Sequence, residues 1–355
     1  MSRGGPILAL GFTAVAVVAS IISLTGCAGG VFHTGEEALR WPAADGRRLN
    51  NGLDGPGRSP IAAGRTWYSA TKPVPGSRLP KDRLTLNIYA GAGNVQAVEA
   101  ARTSLDDEQA GAFDYLPGAS WAQLSDPSWL IQRWADQGLR LTLAVPMLPA
   151  SGANIGDCAR NDYRTYFETL ARALIAGGLA DTSLAVGIEP LTGEYPWTPH
   201  NLREASAYAG CWRAIHAALT AAPGAHFSFI WDIGDPAAGG IAPARLYPGN
   251  RYVDLITTSA LDQGFGKLAA ARQWSSQSTW SYGADWAAHF ALAHHRHLGL
   301  FMLGMSAGDN GAYVSQMLNW AQIHHAVSLD LWDYGADGLL SGHYPQAAKA
   351  LLRAS

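Results

Sequence analysis

The chain has 355 residues, a formal net charge of −3 and only 15% charged side chains. That is enough sequence for one large domain with a sizeable core. No Lys/Arg stripe is present, which argues against a nucleic-acid binder resting on phosphate contacts. Aromatic rings are plentiful, with 13 Trp and 13 Tyr, whereas glutamate is scarce and none follows Glu204.

At the N-terminus, Arg3 precedes a nearly unbroken apolar run from Ile7 to Ile22, followed by Leu24-Thr25-Gly26-Cys27. A short apolar core ending in small residues reads as an export signal over 1–26. Its ending resembles a bacterial lipobox, which implies lipidation of Cys27 and a chain anchored to the outer face of the cell membrane. An uncleaved apolar anchor is the alternative, and it too leaves the chain outside. Residues 27–79 are rich in Gly, Pro, Ala and Arg with little periodicity, as expected of a tether and irregular lead-in. If Cys27 is lipidated, Cys158 and Cys211 remain. In an oxidising compartment they invite a disulfide; two separate buried thiols are the alternative.

From residue 80 to the end, strand-like and helix-like runs alternate. The first strand is Leu84–Tyr89, followed by a helix over Val95–Ala110 capped by Asn94. A strand at Ala112–Leu116 leads through Ser120-Trp121 to a helix over Ser128–Gln137 that Gly138 closes. A third strand, Arg140–Val145, precedes an amphipathic helix over Asp162–Ala176. In the fourth strand Leu184, Val186 and Ile188 alternate with smaller residues, and a helix over Leu202–Ala222 follows. His226–Trp231 and Tyr252–Thr258 are strands five and six. A helix over Trp280–Leu292, strand Leu298–Met305, helix Ala312–His324, strand Ala326–Trp332 and helix Gln346–Leu352 complete the chain. Eight strand–helix units in about 270 residues are the size of a (β/α)8 TIM barrel, whose active site lies at the strand C-terminal ends. A doubly wound open sheet is the other arrangement the pattern allows.

Glu189 stands where the apolar run of strand four ends, and Pro190, Gly193 and Pro196 bar a regular helix after it. A carboxylate at the mouth of a strand, beside Tyr195 and Trp197, suits acid/base work on a sugar; a surface salt bridge is its ordinary alternative.

Several stretches together resemble glycoside hydrolase family 26, the β-mannanase family of TIM-barrel enzymes. Ala119-Ser120-Trp121 and Trp134-Ala135-Asp136-Gln137-Gly138 are similar to its second unit. Tyr247-Pro248-Gly249-Asn250-Arg251-Tyr252-Val253-Asp254 resembles its entry to strand six. Gly308-Asp309-Asn310-Gly311-Ala312-Tyr313-Val314, with Met317 and Trp320, resembles its Gly-Asp-Asn-Pro segment and following helix. Ile188 to Trp197 aligns without gaps on its His-Glu-Met-Asn-Gly-x-Trp-Tyr-Pro-Trp. The resemblance spans roughly Leu84 to Leu340. It implies a barrel, a glycan partner and Glu189 as the acid/base; no cofactor or metal is expected.

This chain departs from the family pattern in its polar set. The Arg before the strand-four Glu is Ala185, the His is Ile188, the Asn-Gly pair is Leu191-Thr192, and the Tyr near the end of strand six is Leu261. The nucleophilic Glu of strand seven has no counterpart: Leu300 to Ala307 carries no carboxylate. Retaining hydrolysis needs two carboxyl groups about 5–5.5 Å apart. Asp232, Asp262, Asp309 and Asp333 follow strands five to eight and are the candidates to stand in, each with an ordinary role in loop capping or a salt bridge. Glu189 with Asp262 is the first pair to consider, about 6.5–9.5 Å being the separation an inverting mechanism requires; Glu194 is a weaker acid candidate. Trp121, Tyr195, Trp197, Trp231, Trp280 and Trp332, with Asp232 and Asp333, are the candidate substrate contacts. His289, His294, His295 and His297 cluster near a helix end and read as a solvated turn rather than a metal site.

Two functions follow. One is a lipid-anchored glycosidase acting on a β-linked polysaccharide, mannan-type or another envelope glycan, with an altered catalytic pair. The other is a degenerate glycosidase that binds a cell-surface glycan. The sugar, the linkage and the oligomeric state are not written in the sequence.

Overall fold

The computed structural model describes residues 84–353, except 193–194, 235–239 and 265–267. Cys27 and Glu194 therefore lie outside the described residues. Eight strands, β1 (Thr85–Tyr89), β2 (Gly111–Tyr115), β3 (Leu141–Val145), β4 (Ser183–Val186), β5 (Ser228–Asp232), β6 (Leu255–Asp262), β7 (His297–Met305) and β8 (Ser328–Trp332), are all parallel and close on themselves in chain order. β1 pairs with both β2 and β8, so the sheet is a barrel and not an open doubly wound sheet.

Among the described residues ten helices surround it: α1 (Val95–Leu105), α2 (Trp121–Ser125), α3 (Ser128–Trp134), α4 (Ile155–Ala159), α5 (Arg164–Ala176), α6 (Leu202–Thr220), α7 (Ala270–Ser278), α8 (Ala284–Ala293), α9 (Gly311–Ile323) and α10 (Pro345–Leu352). Side-chain caps set several N-termini. Asn94, Ser120, Asn154, Asn201 and Asn310 each accept a backbone N–H from the first turn. The first helix stops at Leu105, short of Ala110, because Asp106 turns left-handed with φ 52°. Strand four also stops early, at Val186, since Gly187 takes φ 58°. α7 is a helix that the apolar pattern misses: AARQWSSQS is mostly polar. Trp280 consequently sits in the turn between α7 and α8 and not within a helix.

Strand parity fixes what faces the barrel axis. Phe113 of β2 and Phe301 of β7, on strands that are not neighbours, meet at 5.5 Å, which sets both and their alternate neighbours inward. On the same face Asn87 Nδ2 donates to its register partner Asp330 Oδ1 at 2.8 Å. Carried around the register, the inward set includes Tyr89, Phe113, Tyr115, Ala185, Ile230, Asp232, Thr257, Phe301 and Trp332. The outward set packs under the helices and includes Leu143, Leu184, Val186, Phe229, Trp231, Ile256 and Leu329, all buried. β7 shifts register on both sides, with Met302 at φ 56°, so its inward positions are Phe301 and then Gly304.

A disulfide joins Cys158 of α4 to Cys211 of α6.

Candidate functional site

The site grows from the exit of β4. Three aromatic donors hold three successive carbonyls there. Trp212 Nε1 donates to Val186 O at 3.1 Å, Tyr208 Oη to Gly187 O at 2.8 Å, and Trp197 Nε1 to Ile188 O at 3.0 Å. The backbone then turns left-handed again at Glu189, with φ 48°. A glutamate in that region is uncommon and costs on the order of 1–3 kcal/mol, so the surroundings must over-determine it. Asp232 does part of this: its Oδ2 accepts the Glu189 N–H at 2.9 Å. Thr192 Oγ1 donates to the Glu189 carbonyl at 3.0 Å. On the side chain, Tyr195 Oη donates to Glu189 Oε2 at 2.9 Å. The Tyr195 ring stacks on Trp197 at 4.7 Å with 3° between the planes.

The expected substrate contacts divide between the barrel mouth and other layers. Tyr195 and Trp332 are half-buried and reachable there. Trp197 is only 1% exposed, and its role is to hold Ile188 O. Trp231 points outward from β5 and is fully buried against Tyr247 and Phe290, so its ring is core and not a stacking platform. Trp121 packs on α5, stacked on Tyr166 at 4.4 Å and beside Tyr163 and Phe167. Trp280 is half-buried in the turn before α8. Asp333 Oδ1 caps its own loop by accepting Leu340 N–H at 2.7 Å. Asp309 receives the Gln346 and Ala347 N–H groups at the start of α10.

Asp232 is fully buried, with Oδ1 accepting Thr257 Oγ1 at 2.8 Å, and burial raises its pKa to about 6. Asp262 is buried as well. Its Oδ1 accepts Gly264 N–H at 3.0 Å and its Oδ2 accepts Asn310 Nδ2 at 2.8 Å, while Gln273 turns its amide nitrogen to the same carboxylate. Ser306 donates both N–H and Oγ to the Asp262 carbonyl, at 3.0 and 2.8 Å. Asp262 thus ties β6, the end of β7 and the cap of α9. Burial pushes its pKa up against the opposing bonds from Gly264 and Asn310.

At β7, Gly304 faces inward, and a Cβ built there would meet Leu261 Cδ1 at 3.2 Å and Trp332 Cβ at 3.5 Å. Ala185, Ile188 and Leu191, which stand where the resembled family is polar, are 1%, 4% and 3% exposed. Those three places carry no polar side chain, and the polar groups next to the Glu189 backbone are Asp232 and Thr192.

Sequence reasoning missed Tyr89, Tyr115 and Tyr334, which join Trp332 in a line of aromatics at the exits of β1, β2 and β8. Tyr89 lies 5.0 Å from Tyr115, 4.8 Å from Trp332 and 5.8 Å from Tyr334. Tyr115 is buried, and Tyr195 and Glu189 are among the neighbours whose charge holds its phenol well above the ordinary range after burial itself. The line thus leads from Tyr334, 38% exposed, to the Glu189 corner. Within the strands these tyrosines were hidden in apolar runs; only parity shows that they point inward.

Among the described residues no three His, Cys, Asp or Glu are grouped to hold a metal. His294 Nδ1 pairs with Asn250 Oδ1 at 2.7 Å, and His289 Nδ1 with its own helix at Asp285 O.

A closed parallel barrel with a carboxylate at the fourth strand exit places the chain in the fold shared by many glycosidases. No protein-family model and no curated protein sequence matches the chain. Solved structures do match. A modular endo-β-1,4-mannanase of glycoside hydrolase family 26 from Cellulomonas fimi superposes with a TM-score of 0.56 at 13% identity, over 77% of this chain and 70% of that one. A family 26 β-mannanase from Bacteroides ovatus gives 0.51 at 15% identity, over 78% and 88%. A family 26 β-(1,4)-mannanase from Podospora anserina gives 0.51 at 14%, over 77% and 61%. The likeness at these identities is one of fold.

Proposed function

We propose that this chain is an exported, lipid-anchored barrel that engages a β-linked polysaccharide, mannan-type or another envelope glycan, around Glu189, and holds it without retaining hydrolysis. The observation that carries this reading is the unequal pair of strand exits. Glu189 is anchored at the mouth of β4 beside an aromatic rim, while β7 turns Phe301 and Gly304 inward and has no carboxylate. A retaining mechanism lacks its second carboxyl on that strand. Tyr195 and Trp332 offer ring faces for pyranose stacking, and the Glu189 carboxylate offers a strong acceptor for sugar hydroxyls. The Cys158–Cys211 disulfide supports export, since such bonds persist in oxidising compartments.

A second reading, hydrolysis, is favoured by the left-handed Glu189, because backbone strain gathers at catalytic positions. In that reading Glu189 is the acid/base and Asp262 the first partner to test, although Asp262 would have to release Gly264 or Asn310 to act.

The experiment compares wild type with Glu189→Gln on soluble glucomannan and a mixed-linkage β-glucan, reading both retention in affinity gels and sugar release. Retention without release is the expected result. Release abolished by Glu189→Gln would establish the enzyme instead, and neither retention nor release would overturn both readings. For the anchor, Cys27→Ser is expected to move the protein from the membrane fraction to the soluble one; unchanged fractionation refutes lipidation there.

A further inference from the structure

We infer that Asp232 is a positioning residue that locks the Glu189 backbone in its left-handed turn and so presents the Glu189 carboxylate to Tyr195 and the barrel mouth. The inference rests on the proposed role of Glu189 as the glycan-engaging carboxylate. Asp232 does not touch the glycan in this arrangement, because it is fully buried.

Two observations carry it. First, the Asp232 carboxylate bridges two strand exits. One oxygen accepts the Glu189 N–H at 2.9 Å and the other accepts Thr257 Oγ1 of β6 at 2.8 Å. The Gly234 N–H bonds the same carboxylate, and charge-assisted bonds to backbone N–H groups fix those peptide planes more firmly than neutral acceptors do. Second, the chain just after Asp232 is shaped around Glu189. Gly234 takes φ 70°, and a Cβ there would lie 2.8 Å from Glu189 Cα, closer than real Cβ contacts come. Ile233 N–H in turn bonds Thr257 O at 2.9 Å, holding the exits of β5 and β6 together beneath Glu189. Among the described residues no Lys or Arg forms an ion pair with Asp232. A buried carboxylate without a counter-ion is unfavourable, and a packed apolar residue would be the more stable choice. What offsets that cost is the set of bonds it accepts from Glu189, Thr257 and Gly234. The ionisable groups around it are Asp330 on β8, whose pKa it helps to raise, Tyr208 on α6 and Glu189 itself.

The first test separates shape from bonding. Asp232→Asn keeps an acceptor for the Glu189 N–H and an amide donor for Thr257 Oγ1; Asp232→Leu keeps only volume. With soluble glucomannan as the probe, the Asn variant is expected to bind within about threefold of wild type and the Leu variant at least tenfold more weakly. Thr257→Val, which removes the Thr257 bond but keeps the Glu189 one, should weaken binding less than Asp232→Leu does; a loss as large as that of Asp232→Leu would overturn the inference. Wild-type affinity in Asp232→Leu while Glu189→Gln loses binding overturns the inference; wild-type affinity in Glu189→Gln overturns the underlying reading instead. The second test needs neither glycan nor the Leu variant. In the 15N-labelled full chain, the Glu189 amide proton should sit downfield and titrate with a midpoint near 6, where burial places Asp232, and Asp232→Asn should abolish that step. An amide that does not titrate, or one that titrates equally in Asp232→Asn, overturns the inference.

Discussion

The exits of β4 and of β6–β7 use carboxylates in opposite ways. At β4 the scaffold serves one carboxylate: Trp212, Tyr208 and Trp197 hold the carbonyls before Glu189, and Asp232 holds its N–H. At β6–β7 the carboxylate serves the scaffold. Asp262 gathers Gly264 and Asn310, and its carbonyl takes Ser306. The difference teaches that a carboxylate at a strand mouth does not define a reactive group. What its oxygens already hold, and whether its backbone is strained, separates the two.

That contrast can be broken by substitution. Asp262→Ala takes the carboxylate from the Gly264 N–H and leaves the buried Asn310 amide only its longer bonds to Ala270 O at 3.3 Å and Gln273 Oε1 at 3.4 Å, at about 1–3 kcal/mol per group. Denaturant unfolding should show a loss of about 2–4 kcal/mol, with glycan affinity in the folded protein unchanged. Lost glycan turnover with stability intact would instead place Asp262 in the chemistry. Gly234→Ala acts at the other exit. It introduces a Cβ 2.8 Å from Glu189 Cα at φ 70°, and glucomannan affinity measured by calorimetry should fall about tenfold, or about 1.4 kcal/mol.

A third prediction concerns the barrel interior. Burial raises the pKa of Asp330 from 3.8 to about 7. A folded-state value above the unfolded one means that folding favours the protonated form. The penalty is absent below about pH 3.8, grows as pH rises toward about 7, and is constant beyond. Stability of wild type should therefore fall between pH 4 and 7, roughly, from this group. Asp330→Asn keeps an acceptor for Asn87 Nδ2, and its melting temperature should exceed that of wild type at pH 8 more than at pH 4, by roughly 2–4 °C for each kcal/mol relieved. The smallest effect is expected at the exposed rim: Tyr334→Ala should weaken glucomannan binding by about 0.5–1 kcal/mol, the worth of one ring contact, without a change in melting temperature.

The alternation of strands and helices was legible because buried parallel strands are short apolar runs, and eight of them fit one size of fold. Glu189 was legible because a charge interrupts such a run. What the sequence hid follows from parity and polarity. Trp231 and Asp232 are neighbours, yet one faces the helices and the other the axis, and composition alone does not say which. Tyr89 and Tyr115 read as ordinary strand residues until the Phe113–Phe301 contact sets the inward face. α7 escaped because its sequence lacks an apolar stripe. The two-carboxylate pairing was the least legible, since Asp262 closes its bonds with residues 2 and 48 positions away.

The cystine between α4 and α6 spans a sequence separation of 53 residues. Chain-entropy reasoning gives such a loop about 4 kcal/mol of stabilisation. That ring contains all of β4, Gly187, Glu189, Tyr195 and Trp197. A protease that cuts the Glu189 loop therefore nicks a macrocycle. The two fragments stay covalently joined and the barrel keeps both, so surface proteolysis of this loop would be invisible on a non-reducing gel and apparent only after reduction.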